Sequence, residues 1–181
     1  MIDPLLSKAI AFGFAALFIL AAWHKLSALS QFEAVLRNYR LLPALASPIL
    51  TVLIPVIELM LGLGWISGLL PSITALASAG LLATYALAMG VNLARGRIYI
   101  DCGCGFGVST DEEQALSWSL VARNILLIGL AGFTLVPVAE RDLGIADHVV
   151  VIASLLTAIL LYAGSGQLIR NRAAIRTWRG K

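Results

Sequence analysis

Five long apolar stretches constrain this chain more than any other feature. The first runs from Leu5 to about Trp23 and is apolar apart from Ser7 and Lys8. The second, 48–70, carries a mid-run proline, Pro55, and a single charge, Glu58. A tight turn at Pro71-Ser72 precedes the third, 73–94. The fourth opens at Ser117 or Trp118, runs to about Val138 and includes Arg123 and Asn124; the fifth is 149–168. Each is near the ~20 residues that one helical crossing of a bilayer requires. The chain is 60% hydrophobic and 13% charged, with a mean hydropathy of +0.92, outside the range of soluble globular domains. The expected fold is an all-α integral membrane protein. It is a single polytopic domain over 1–181, a bundle of about five transmembrane helices with a basic tail at 169–181.

The first stretch has the weak charged flank and missing cleavage site of an uncleaved helix rather than a signal peptide. Phe32, Val35, Leu36 and Tyr39 recur at helical spacing in the connection that follows, as in a short amphipathic helix lying at the interface. Five crossings put the termini on opposite sides. One side gathers Lys or Arg at 25, 37, 40, 95, 97, 170, 172, 176, 179 and 181, and the other has only Lys8 and Arg141. Positive residues stay inside, so the expected N-terminus is periplasmic and the C-terminus cytoplasmic. Trp178 in the tail suits the headgroup layer. The net charge of +3 forms no periodic basic face, so nucleic-acid binding has no support.

Both cysteines fall in the connection between the third and fourth stretches, Arg95-Gly-Arg-Ile-Tyr-Ile-Asp-Cys-Gly-Cys-Gly-Phe-Gly107. Cys102 and Cys104 are one residue apart, and Gly103 lets the backbone bend enough for a small disulfide ring. Such a ring is strained, and strained bridges suit exchange rather than stapling. Nearby arginines favour the thiolate that exchange needs. Two other readings stay open. The pair could be free thiols packed under a loop. The two thiolates could instead hold a soft ion such as Cu(I), although a closed zinc site needs four ligands and only Asp101 or His24 is available to add.

Polar residues within the stretches are the remaining candidates. Glu58 lies about ten residues into the second stretch, roughly 15 Å deep at 1.5 Å per residue. A charge at that depth needs a partner inside the bundle. Arg123 or Asn124, entering from the same end, could supply one, and a proton-relay role for Glu58 competes with that ion-pair reading. Arg123 reads first as structural, or else as a cation favouring a thiolate or a quinone oxyanion. His24 and Lys25 sit at a helix end, where snorkelling to the interface is the ordinary reading. His148 lies at the opposite end from His24, so no haem is expected between them.

Taken together, His24-Lys25 after the first helix, Glu58 in the second, Asn92 closing the third, Asp101-Cys-Gly-Cys-Gly-Phe-Gly107 and Arg123-Asn124 resemble the MauE family of methylamine utilisation proteins. That family sits among the DoxX-like membrane proteins, and the resemblance covers essentially the whole chain. The Cys-Gly-Cys loop followed by Arg-Asn is its most specific part. The commoner family loop reads Cys-Gly-Cys-Phe-Gly, whereas Gly105 stands here before Phe106. The resemblance implies a bacterial inner-membrane protein needed to make methylamine dehydrogenase. It would act with a thioredoxin-like partner of the MauD type in processing, transport or disulfide formation of the small (beta) subunit.

Chemistry and resemblance together suggest a membrane thiol–disulfide relay through Cys102 and Cys104. Electrons could pass onward to or from a quinone, with Glu58 and Arg123 managing protons and charge, although no cofactor motif supports the quinone. The alternative is a non-enzymatic scaffold or export factor for the same subunit. Charge counting places the cysteine loop inside, while the substrate's disulfides form outside. A re-entrant loop through the apolar Ile98-Tyr-Ile100, outward delivery of reducing equivalents, or a different number of crossings would each reconcile the two.

Overall fold

A computed structural model describes residues 2–41, 43, 46–96 and 118–139, with 144, 147, 149, 150, 152–154 and 157 beyond them. Among these residues run α1 (Pro4–Ser27), α2 (Leu29–Tyr39), α3 (Ser47–Ser67), α4 (Pro71–Ala94) and α5 (Trp118–Phe133). The protein is all-helical, and α1, α3 and α4 are each long and apolar enough to cross a membrane. At 16 residues, α5 spans about 24 Å. It is apolar but shorter than the other three. Val149, Val150, Ile152, Ala153, Ser154 and Thr157 are helical; the rest of the fifth expected crossing and the basic tail lie outside the described residues.

The fourth expected crossing ends at Phe133 rather than about Val138, and Pro71-Ser72 belong to the third helix rather than to a turn; two further helix ends differ for a local reason. The second crossing stops at Ser67 rather than 70 because Gly68 turns left-handed at φ 61° and donates its N–H to the Gly64 carbonyl. A glycine without a Cβ adopts that conformation without strain. Pro71 then opens α4 at its first turn, where a missing N–H costs nothing. At the other end of the bundle α1 continues past Trp23 to Ser27, which carries His24 and Lys25 on the helix. The amphipathic helix expected around 32–39 is present as α2, with Phe32, Val35 and Tyr39 buried.

Each long helix buries one stripe at helical spacing. On α1 it is Ile10, Phe14, Phe18, Ala22 and Lys25; on α3, Thr51, Pro55, Glu58, Gly62 and Trp65; on α4, Ala75, Ser78, Leu82, Met89 and Asn92. Contacts fix the register as antiparallel. Phe14 stacks on Trp65 with ring centroids 5.0 Å apart, while Lys25, further along α1, meets Glu58, which is earlier on α3. Trp65 donates Nε1–H to Ser78 Oγ at 3.0 Å and Tyr85 donates to Glu58 at 2.8 Å, so α3 and α4 also run opposite ways. Gly62 allows the α1–α3 approach: a Cβ there would lie 2.6 Å from Ile19 Cγ1 and 3.3 Å from the Ala15 carbonyl oxygen.

The interior of residues 10–137 is divided by polarity. Among the described residues one half is mainly apolar, built from Ile10, Phe14, Phe18, Leu61, Trp65, Ala75, Leu82 and Ala131, with Ser78 bonded to the Trp65 indole as a neutral polar group. The other half, toward the α4–α5 connection, holds Val35, Tyr39, Met89 and Val121 beside buried polar groups. Outward faces are apolar: Ile49, Val52, Met60 and Leu63 on α3 and Ile73, Leu76 and Leu87 on α4 are exposed. Water would make such a surface an aggregation hazard, whereas lipid suits it. Separately, Ile2 pairs in parallel with Val138 and accepts the Ala139 N–H at 2.8 Å.

Candidate functional site

The buried polar groups gather where helix direction sends them. A helical side chain leans toward its own helix N-terminus. Lys25, near the C-terminal end of α1, therefore points back into the bundle, and Glu58 on the antiparallel α3 points up to meet it. The two form an ion pair through Nζ and Oε1, with only 5% and 1% of their side-chain surface exposed. Tyr85 on α4 donates its hydroxyl to the same Oε1 at 2.8 Å. The Lys25 ammonium also lies 5.4 Å from the Phe32 ring centroid and 5.2 Å from that of Tyr85, within cation–π range. Four helices thus converge on one charge.

The snorkelling expected of Lys25 is therefore replaced by inward pairing. Arg123 and Asn124, the expected partners of Glu58, make other arrangements. Asn124 is buried and donates its amide to the Leu120 carbonyl at 2.9 Å. Arg123 is half-buried, with a buried Nε that has no hydrogen-bond partner. Asn92 on α4 is fully enclosed; its amide donates to the Ala88 carbonyl at 3.0 Å, leaving Oδ1 unpartnered. Glu58 Oε2 is likewise buried and unpartnered. His24 is exposed. Asp101, Cys102, Cys104 and His148 lie outside the described residues. Among the described residues no three His, Cys, Asp or Glu side chains gather into a metal site.

Helices α4 and α5 pack together along the Met89–Val121 contact, and the segment holding Cys102 and Cys104 joins them. Gly96 ends α4 in a left-handed turn at φ 71°, its N–H bonded to the Leu93 carbonyl. The family model of methylamine utilisation protein MauE matches residues 3–137. The chain belongs to the MauE family. It is 39% identical to the methylamine utilization protein MauE of Paracoccus denitrificans over 131 residues, covering 72% of this chain and 69% of that one. The Paracoccus versutus MauE is 38% identical over 167 residues, 92% and 88% of the two chains. That of Methylorubrum extorquens is 35% identical over 178 residues, 91% of each. No solved structure matches the fold. Membership in the MauE family places the protein in methylamine utilisation.

Tyr85 is the member of this site that sequence reading passed over. Its spacing from Asn92 and Met89 on the buried stripe of α4 was the available signal. Lys25 was seen, but its partner was not.

Proposed function

We propose that the protein is an inner-membrane component in the maturation of the methylamine dehydrogenase small subunit, working by thiol–disulfide exchange through Cys102 and Cys104. The observation that carries this reading is the cysteine pair itself. The chain has two cysteines, one residue apart, in the segment joining two packed helices of a MauE-family membrane bundle. In the exchange, a thiolate of a thioredoxin-like partner attacks one sulfur of a Cys102–Cys104 disulfide. The other sulfur leaves as thiolate, and the partner's second thiol resolves the mixed disulfide. Two electrons pass from the partner dithiol to this chain, and the reverse sequence passes them back. Glu58 and Arg123 would act as charge and proton partners within the bundle. The N-terminus would be periplasmic and the C-terminus cytoplasmic.

The deciding experiment replaces Cys102 or Cys104 by Ser and follows oxidised small subunit in the periplasm. Loss of the mature subunit with either single variant, at unchanged membrane levels of the protein, is the expected result. Full maturation with both variants would leave a scaffold or export role instead. Labelling with a membrane-impermeant maleimide, before and after reduction, reports which side reaches the pair and whether it is oxidised.

A further inference from the structure

We infer that Glu58, Phe32 and Tyr85 form a binding site for a small primary alkylammonium ion, filled in this state by the chain's own Lys25. The chemistry is that of ammonium recognition: a carboxylate beneath, and aromatic rings centred 5.4 and 5.2 Å from the nitrogen. Ring faces attract cations and repel anions, and do so more strongly when water is excluded. The carboxylate is 1% exposed.

The hydrogen bonds leave one acceptor of the site open. Lys25 and Tyr85 both donate to Oε1. Oε2 of the same carboxylate is buried and receives nothing. A buried acceptor without a donor is costly, so Oε2 is a position where a further N–H donor would be favourable. Lys25 is held by its stem on α1, whereas an untethered ammonium, with three N–H donors, is free to bridge both oxygens between the same rings. Phe32 belongs to α2, a short helix attached through non-helical Ala28 at one end and left-handed Arg40 at the other. Displacing α2 would let Lys25 withdraw and a free ammonium enter. The site uses neither Cys102 nor Cys104 and shares only Glu58 with the proposed exchange, so methylammonium binding can be read separately from maturation of the subunit.

The test measures binding of radiolabelled methylammonium to the purified full-length protein in detergent, by scintillation proximity. Lys25→Ala removes the tethered competitor, whose effective concentration is in the millimolar range or above. It should bind at least about tenfold more tightly than wild type. The double variant Lys25→Ala/Glu58→Gln should lose that binding, and Lys25→Met, which refills the space, should not gain it. Tetramethylammonium, which has no N–H, and sodium should fail to compete. Wild type should still show weak saturable binding, a readout that survives if the alanine variant does not fold. Absence of saturable binding in wild type and Lys25→Ala, or equal binding with and without the Glu58 carboxylate, overturns the proposal.

Discussion

Replacing Lys25 by methionine keeps an unbranched side chain only one atom shorter but leaves Glu58 as a buried carboxylate bonded by the Tyr85 hydroxyl. Removing one member of a buried ion pair costs about 3–5 kcal/mol, because the survivor is stranded away from water. The site sits at the upper part of that range: Glu58 is almost wholly enclosed, and Oε2 has no partner to redistribute charge onto. The Tyr85 hydroxyl bonds Oε1 in wild type and variant alike, so it cancels in the comparison and the expected cost stays at about 3–5 kcal/mol. Glu58→Met alone should cost a similar amount by stranding the ammonium. The double variant Lys25→Met/Glu58→Met removes both charges and should lie within about 2 kcal/mol of wild type, since well-packed apolar replacements of buried pairs are close to neutral. Equilibrium unfolding in mixed detergent micelles, followed by tryptophan emission, measures all four corners of this cycle. Near-additive single effects, with the double variant the least stable, would refute the pairing and return Lys25 to the interface.

The exposed Arg37–Glu33 pair on α2 makes the opposite case. Its side chains are 64% and 29% exposed, so Glu33→Gln should change stability by less than about 1 kcal/mol and lose even that at high salt. Gly62→Ala should destabilise by about 1–3 kcal/mol, because the new methyl meets Ile19 and the α1 backbone; unfolding midpoints would show it, and a neutral result would mean α1 and α3 part freely. Trp65→Phe keeps the stack on Phe14 but strands the Ser78 hydroxyl, at a cost of about 1 kcal/mol in the same assay. Gly68→Ala places a Cβ at φ 61° and should cost about 1 kcal/mol without altering contacts.

The apolar runs made the membrane helices legible, because length and uninterrupted hydrophobicity answer to the bilayer and to little else. The short helix at 29–39 was legible for a different reason: Phe32, Val35 and Tyr39 mark one face at 3.6-residue spacing. The partner of Glu58 was not. Choosing between Lys25 and Arg123 requires knowing that α1 runs on to Ser27 and that its lysine leans backward, and hydropathy ends the helix earlier, at Trp23. Gly68 marks where the second crossing stops, yet Leu69 and Leu70 beyond it are apolar and read as more helix. Tyr85 was hidden among alanines and leucines, since a single hydroxyl hardly alters a hydropathy profile.

The pairing of Ile2 with Val138 has a practical consequence for mapping orientation. Two points far apart in sequence are held side by side, so a reporter fused at the N-terminus and one inserted after Val138 must read the same compartment. Together they act as an internal duplicate, and agreement between them would fix the parity of all the crossings in between. A third reporter at Gly96 would then give the absolute side of the cysteine segment without touching either thiol.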